Sequence, residues 1–229
     1  MHLNGFVDVI SKAFLDVVIQ PGQQPDEREA LHSMLDHFTP DDPQKYIITA
    51  DRGYESYDLL FHCEFKNLGY VFRVKSPSFH KSILSYYASE LPDDLEEFDV
   101  TIKRFFTDKA TNIMKSQSDV YRYINPSKNT PHFYELLRKK HSHLYFLQFR
   151  VVKIKTTENT YEYLITNLPF SFTLDDIQEC YHWRWGIEIS FRYVKHAAGL
   201  LYFHSKQPEF LKQEIYSRLI LYNFGIFIA

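Results

Sequence analysis

The sequence predicts an α/β fold, and three patterns along its 229 residues support that prediction. Residues 46–74 have the pattern of a strand, a helix and a second strand, the unit that builds a parallel sheet. Residues 76–168 are rich in β-forming side chains, and the chain after Thr173 shows the apolar spacing of amphipathic helices. With 45% hydrophobic residues, the chain is long enough to bury a core.

Composition narrows the class of protein further. Only Cys63 and Cys180 are present, too few for a disulfide framework, which favours a reducing compartment. Asp8, Lys12 and Asp16 interrupt the first twenty residues, so neither a signal peptide nor a membrane span is expected. The net charge of -3 gives no overall attraction to nucleic acid. We therefore expect a soluble cytoplasmic protein, in which any contact with DNA needs a local basic face.

The first fifty residues predict a hairpin, a helix and a strand. The hairpin is expected over residues 5–10 and 14–19, which are rich in β-branched and aromatic side chains. An amphipathic helix should open at Asp26 and end before Pro40. The short apolar run 46–50 has the composition of a buried strand.

A polar motif, Asp51-Arg52-Gly53-Tyr54, follows that strand directly. A helix should begin near Tyr57 and stop at Gly69, before a second strand over residues 70–74. Functional groups in parallel sheets lie at the carboxyl ends of strands. Asp51 is therefore a candidate site residue.

Residues 76–168 predict a β-rich inserted subdomain. Its four strand segments are residues 99–106, 120–124, 144–155 and 161–166. The same region holds a run of cations that is either a DNA-facing strip or a solvated face. These cations are Arg138, Lys139, Lys140, His141, His143, Arg150, Lys153 and Lys155.

The last part of the chain predicts two helices. Thr173, with Asp176 three residues later, should start a helix that runs to Ala198 and is closed by Gly199. The second helix is expected over residues 210–228. The predicted organisation has three parts, residues 1–75, 76–168 and 169–229, of which the middle one is the insertion.

One face of the first of these helices carries a carboxylate among cations. Tyr181, Arg184, Glu188 and Lys195 fall within an arc of about 60°, with Arg192 on the same side. Such charges are most often i,i+4 partners on a solvated face. An adjoining apolar stripe should pack on the sheet, and it consists of Ile177, Cys180, Ile187, Phe191, Val194 and Ala198.

A functional interpretation of this face needs a second acid, and Asp51 supplies one. Phosphodiester chemistry uses carboxylates to hold Mg²⁺ or Mn²⁺ ions about 4 Å apart. Arginine and lysine can then hold the phosphate backbone, and an aromatic side chain such as Tyr181 or Trp185 can stack on a base. The residue types around Glu188 match that chemistry.

The spacing of Tyr181, Arg184, Glu188 and Lys195 reproduces the Tyr-x2-Arg-x3-Glu-x6-Lys signature, and the sequence resembles insertion-sequence transposases of the type-four family. The flanking runs 183–188 and 214–223 are also similar to that family, and residues 50–54 resemble its second-aspartate motif. The resemblance extends over essentially the whole chain.

The resemblance implies a ribonuclease H-like fold, with a mixed sheet, helices on both faces and a β-rich insertion. It implies that Asp51 and Glu188 are the second and third members of a catalytic triad that binds Mg²⁺ (or Mn²⁺). It also implies that Tyr181, Arg184 and Lys195, with Arg192 and Trp185 nearby, contact transposon-end DNA. The function would be metal-dependent DNA cleavage and strand transfer, carried out by pairs of molecules on two DNA ends at the nucleoid.

The sequence departs from the family pattern at its start. The first catalytic aspartate belongs on a strand before the hairpin, and we expect Asp8 and Asp16 to be edge or turn residues instead. The chain is therefore expected to lack the first strand and to be truncated. Two other functions stay open: a remnant that binds DNA or an intact transposase without catalysis, and a nuclease of the same fold.

Overall fold

The computed structural model describes residues 1–23, 25–125, 130–158, 160–196 and 203–228. The chain divides into two compact units. One unit combines Met1–Phe38 with His182–Ala229, and the other is Thr39–Tyr181.

Eight strands and seven α-helices are found in the described residues, together with short 3-10 turns. The strands are β1 (His2–Val7), β2 (Phe14–Gln20), β3 (Ile47–Ala50), β4 (Gly69–Val74), β5 (Phe98–Thr107), β6 (Tyr121–Tyr123), β7 (Leu144–Thr157) and β8 (Thr160–Thr166). The helices are α1 (Glu27–His37), α2 (Tyr57–Phe65), α3 (Asn112–Ser116), α4 (Pro131–Lys139), α5 (Leu174–His182), α6 (Trp185–His196) and α7 (Pro208–Ile228). None of the described helices, α7 included, is both long and apolar enough to cross a membrane.

The unit Thr39–Tyr181 is built on one mixed sheet with the strand order β3-β4-β8-β7-β5-β6. The pairs β3–β4 and β5–β6 are parallel, and the three central pairs are antiparallel. The strand, helix and strand predicted over residues 46–74 are confirmed as β3, α2 and β4. The α/β fold class is confirmed, and the mixed sheet is compatible with a ribonuclease H-like fold.

The strands within residues 76–168 do not form a sheet of their own. Strand β8 returns to pair with β4, from Val71 opposite Thr166 to Val74 opposite Tyr163, so β5 to β8 extend the sheet that β3 and β4 begin. The predicted boundaries after residues 75 and 168 therefore do not coincide with the limits of the compact units. Pairing between strands about ninety residues apart has no local signal in the sequence.

Helices pack on both faces of this sheet. Ile177 and Tyr181 of α5 contact Val152 and Leu164 on one face. Successive side chains of a strand point to opposite faces, and Phe106 of β5 points to the other face of the sheet. There the ring of Phe61 from α2 lies 5.1 Å from that of Phe106 and 4.7 Å from that of Phe133, measured between centroids. These two cores hold helices against opposite faces of the sheet.

The unit formed by Met1–Phe38 and His182–Ala229 contains the predicted hairpin as β1 and β2. Its core joins Phe14 and Val17 of β2 to Val194 of α6 and to Ile215 and Leu219 of α7. The side chain of Asn223 in α7 also pairs with the backbone of Phe14, accepting from its N–H at 2.9 Å and donating to its carbonyl at 2.8 Å. The 214–223 motif thus holds the last helix against the hairpin.

The single helix predicted from Thr173 to Ala198 is wrong, because the chain forms two helices, α5 and α6, separated by a turn at residues 183 and 184. At this turn the amides of Gly186 and Ile187 bond to the carbonyls three residues earlier, at 2.9 and 3.0 Å. Gly186 has low helix propensity, which favours the interruption. The predicted end at Ala198 and Gly199 lies outside the described residues.

This interruption also overturns the predicted 60° arc, since Tyr181 lies on α5 whereas Glu188, Arg192 and Lys195 lie on α6. The predicted apolar stripe is divided in the same way: Ile177 packs on the six-stranded sheet, and Val194 packs on the hairpin. The predicted start of α5 is confirmed, because Asp176 accepts the N–H and the hydroxyl of Thr173, both at 2.7 Å, and its own N–H returns to Thr173.

The sequence suggested that Gly69 ends α2, and this prediction is wrong. The helix ends at Phe65, and Asn67 takes the left-handed backbone angle, with φ of 55°. Gly69 is instead the first residue of β4, where an added Cβ would lie 3.1 Å from the carbonyl oxygen of Tyr46. Its role is therefore to let β3 and β4 approach each other.

Glu64, near the end of α2, makes the stability of the fold depend on pH. Burial raises the pKa of Glu64, although hydrogen bonds from Asn167 at 3.0 Å and Tyr145 at 3.4 Å act in the opposite direction. The folded state then binds this proton more tightly than the unfolded chain does. The contribution of Glu64 to stability is therefore greatest below the ordinary glutamate pKa and is lost as pH rises toward the raised value.

We expect Glu64→Gln to flatten the dependence of the free energy of unfolding on pH over the range between the ordinary glutamate pKa and the raised one, because the amide cannot ionise. The variant should be more stable than the unmodified protein at the upper end of that range. Urea denaturation at several pH values measures this, with the exposed Glu158→Gln as control. An unchanged pH profile in Glu64→Gln would contradict the assignment.

Candidate metal and DNA site

Asp51 lies where the sequence predicted it, at the carboxyl end of β3. Its side chain caps the following 3-10 turn, and Oδ1 accepts the N–H of Arg52 at 2.7 Å. The guanidinium of Arg73 lies 3.6 Å from the same oxygen, and the hydroxyl of Tyr181 donates to it at 3.4 Å. Oδ2 has no hydrogen-bond donor among the described residues, so one carboxylate oxygen is held and the other is available.

Arg73 links Asp51 to a further acid that sequence reasoning missed. Arg73 lies on β4, and its second guanidinium nitrogen is 3.2 Å from Glu162 on β8. The register of β4 and β8, with Arg73 opposite Leu164, brings these two side chains into reach. An arginine inside the otherwise apolar strand Tyr70–Val74 was the available signal, but its partners depend on strand pairing.

Tyr181 is not an exposed aromatic side chain. It is only 3% exposed, and its ring belongs to the core between α5 and the sheet. The prediction that this ring could stack on a base is therefore wrong, since neither ring face is open. Its hydroxyl reaches Asp51, so the structure brings together the tyrosine of the signature and the aspartate of the 50–54 motif.

Glu188 lies in the first turn of α6, in the unit formed by the two ends of the chain. Its side chain is 53% exposed, and Arg184 lies 3.6 Å from Oε1 in an i,i+4 pair. Oε2 has no hydrogen-bond or ion-pair partner in the described part of the chain. A negative charge in the first turn of a helix is favourable, and this side chain remains accessible to solvent.

The rest of α6 presents cations and aromatic rings to solvent. Arg192 and Lys195 are exposed, and neither forms an ion pair with a residue that the structure describes. Trp185 is also exposed, with its ring 6.2 Å from that of His182. Sequence reasoning missed Tyr193, which is exposed and lies eight residues after Trp185, a spacing that continues the same helix face.

The carboxylates of Asp51 and of Glu188, each considered in its own unit, have the chemistry of a ligand for a hard divalent cation. Each carboxylate has one oxygen that is oriented by the protein and one with no partner among the described residues. Mg²⁺ and Mn²⁺ prefer such oxygen ligands, commonly one or two carboxylates completed by water or by substrate phosphates. Each of the two carboxylates is thus chemically suited to bind such an ion.

The family profile described as "Transposase DDE domain" matches residues 1–224, nearly the whole chain. The chain belongs to the DDE transposase family. A comparison with the curated proteins found no significant match. Membership implies a polynucleotidyl-transferase type of enzyme that acts on DNA, and DDE transposases generally use divalent metal ions.

The two early acids of this DDE transposase domain are already engaged. Asp8 lies in the turn after β1, where its carboxylate accepts the N–H of Ile10 at 3.1 Å and the hydroxyl of Ser11 at 2.6 Å. Asp16 lies on β2 and contacts Nδ1 of His37 at 2.8 Å. The expectation that they are turn and edge residues is confirmed, and neither has the open carboxylate that Asp51 presents.

Part of the predicted basic strip of the transposase domain is buried structure. Arg150 is 4% exposed, pairs with Asp99 and donates to the carbonyls of Pro169 and Phe172 at 2.9 and 3.0 Å. Lys153 is also buried and donates to the carbonyls of Asp93 and Leu95. The interpretation of residues 138–155 as one continuous DNA-facing strip is therefore wrong for these two residues.

Proposed function

We propose that this DDE transposase domain is of the type-four insertion-sequence kind and carries out metal-dependent DNA cleavage and strand transfer. The main support is the state of Asp51, a carboxylate at a strand end that protein donors orient through Oδ1 while Oδ2 is left without a donor among the described residues. Glu188 has the same combination of one engaged and one available oxygen.

In this proposal, Asp51 and Glu188 hold Mg²⁺ or Mn²⁺. When bound, these ions activate the attacking oxygen and stabilise the leaving oxygen of the phosphodiester. Asp51 keeps its orientation through the N–H of Arg52 and the hydroxyl of Tyr181, so little reorganisation accompanies binding. Arg73 neutralises part of the charge shared by Asp51 and Glu162 before the metal arrives.

The DNA contacts are assigned to α6 and the turn before it. Phosphates would be held by Arg184, Arg192 and Lys195. A guanidinium group can donate two parallel hydrogen bonds to two oxygens of one phosphate, and an ammonium group acts as a point charge. Trp185 would stack on a base. The substrates would be transposon ends and target DNA at the nucleoid, handled by two copies of the protein.

A strand-transfer assay tests the function. The protein is incubated with a labelled duplex that carries the terminal sequence of the encoding element and with a supercoiled target plasmid, with Mg²⁺, with Mn²⁺ or with a chelator. We expect joined products that depend on divalent metal. Cleavage without joining would favour a nuclease of the same fold, and binding without any cleavage would favour a non-catalytic protein.

The non-catalytic alternative has one observation in its favour. The carboxylates of Asp8 and Asp16 both have structural partners and are not open to a metal ion: Asp8 caps its own turn, and Asp16 contacts His37. Under this alternative the chain binds DNA or an intact transposase. The assay above separates the two, since a non-catalytic protein added to an active transposase should inhibit joining rather than contribute to it.

Tyr181 is proposed as a positioning residue for Asp51. We expect Tyr181→Phe to weaken Mn²⁺ binding by about tenfold, the lower end of the range for residues that orient a metal ligand. Titration calorimetry measures this. Tyr163→Phe is the matched control, because Tyr163 is also buried and donates to a carboxylate, that of Asp93, in the same unit. Equal Mn²⁺ affinities in the two variants would leave Tyr181 with a packing role only.

A further inference from the structure

The sheet face that α5 covers is open at its other end. Side chains of β7 alternate between faces, so Phe146 points to the same side as Val152, against which α5 packs. Phe146 lies directly opposite Phe105 of β5, and Phe105 lies directly opposite Tyr121 of β6. The ring centroids are 5.2 and 6.1 Å apart, so these three side chains form a continuous aromatic row across three strands.

This aromatic row is accessible to solvent. Phe105 is 38% exposed and Phe146 is 48% exposed, although most other phenylalanines of the sheet are buried. Contiguous exposed apolar surface on a folded protein marks an interaction site more often than scattered single residues do. Rings on neighbouring strands of a sheet offer flat faces at a fixed spacing.

A polar pair borders the aromatic row. Lys103 and Gln148 are opposite each other on β5 and β7, two residues away from Phe105 and Phe146 and on the same face. Both side chains are exposed, and Lys103 forms no ion pair with any residue in the described ranges. The surface therefore combines three aromatic rings, one available cation and one amide that can both donate and accept.

We propose that the aromatic row binds unpaired nucleotides of a DNA strand, with bases on Phe105 and Phe146, a phosphate at Lys103 and a base edge or sugar at Gln148. The inference rests on the proposed function, which supplies DNA as the substrate class. Every base has a π-face that stacks on an aromatic side chain, whereas the bases of an intact duplex are stacked on one another and out of reach.

Charge favours this occupant over a second copy of the chain. Lys103 is the one charged side chain among the three rings, Lys103 and Gln148, so in a symmetric pair joined through the same surface these residues would offer it no opposite charge. A DNA strand places phosphates beside its bases and so complements both the ring faces and the cation. The rings give affinity for any base, so little sequence preference is expected.

Fluorescence anisotropy with two labelled oligomers of equal length, oligo(dT) and an abasic deoxyribose-phosphate strand, tests the proposal. We expect the unmodified protein to bind oligo(dT) at least about tenfold more tightly than the abasic strand. The double variant Phe105→Leu/Phe146→Leu should lose at least about tenfold in affinity for oligo(dT) and little for the abasic strand. Lys103→Gln should weaken binding of both strands.

Phe79→Leu is the matched control, since Phe79 is exposed in the same unit but lies outside the aromatic row. Leucine keeps the apolar character of β5 and β7, and thermal unfolding of each variant verifies the fold. Equal affinity of the unmodified protein for the two oligomers would overturn the proposal. An unaffected double variant, or an equal loss in Phe79→Leu, would overturn it too.

The outcomes separate this inference from the proposed function. Strand transfer by the unmodified protein, combined with no base-dependent binding at the aromatic row, removes the inference and leaves the function. Base-dependent binding without strand transfer leaves the inference in place, removes the proposed catalytic function and favours a DNA-binding protein. Light scattering tests whether a second copy of the chain occupies the aromatic row instead of DNA. If the unmodified protein is a dimer and the double variant is a monomer, a second copy binds there and the inference is overturned.

Discussion

We expect Glu188→Gln to lower strand transfer by about three orders of magnitude or more, corresponding to a loss of roughly 4 kcal/mol of transition-state stabilisation. Glutamine keeps the size and the helix propensity of the side chain but removes the negative charge that a divalent cation needs. Because Glu188 is half exposed on α6 and its one described partner is Arg184 at 3.6 Å, the fold should tolerate the change.

The measurement is the yield of joined product over time at fixed metal concentration. Glu179→Gln is the control, since Glu179 is an exposed acid on α5 and should keep full activity. DNA binding without metal should change little in Glu188→Gln, because the phosphate contacts are assigned to Arg184, Arg192 and Lys195, which the substitution leaves in place. Strand transfer that persists in the variant would remove Glu188 from the catalytic residues.

Among the substitutions proposed for this protein, Arg150→Met should cause the largest loss of stability, about 3 kcal/mol in the free energy of unfolding. The guanidinium is buried, pairs with Asp99 through Nε at 3.0 Å and donates to the backbone where the chain leaves β8 for α5. Methionine keeps the apolar stem but leaves the carboxylate of Asp99 and the carbonyls of Pro169 and Phe172 without this donor. Unsatisfied buried groups carry most of the expected cost.

Urea denaturation of Arg150→Met and of Lys103→Met measures the effect. Lys103 is an exposed cation on the neighbouring strand, so its loss should change stability by less than about 0.5 kcal/mol. The salt dependence of DNA binding gives a second readout, since a residue that contacts no phosphate leaves the slope unchanged. An unchanged free energy of unfolding in Arg150→Met would contradict the structural role of Arg150. So would a weaker dependence of its DNA affinity on salt concentration.

Much of the local structure followed from short-range patterns. The strand predicted from the short apolar run 46–50 and the helix starts at Asp26 and Thr173 are set by neighbours in sequence, and the structure confirms them. Asp51 was found at a strand end for the same reason. The break between α5 and α6 was missed because residues on both sides keep the helical spacing of apolar side chains. That spacing shows which residues share a helix face, but it does not show whether one helix or two carry them.

The sequence by itself determined the choice of Asp51 and Glu188 as candidate ligands and most element types, since these depend on side-chain chemistry and local spacing. Only the tertiary structure decided which groups meet: Tyr181 and Arg73 at Asp51, Asp99 at Arg150, and Phe105 between Phe146 and Tyr121. Each of these contacts joins separate elements, and Asp51 and Tyr181 are 130 residues apart. Strand register and helix packing set such contacts through burial of the whole core, which no short segment encodes.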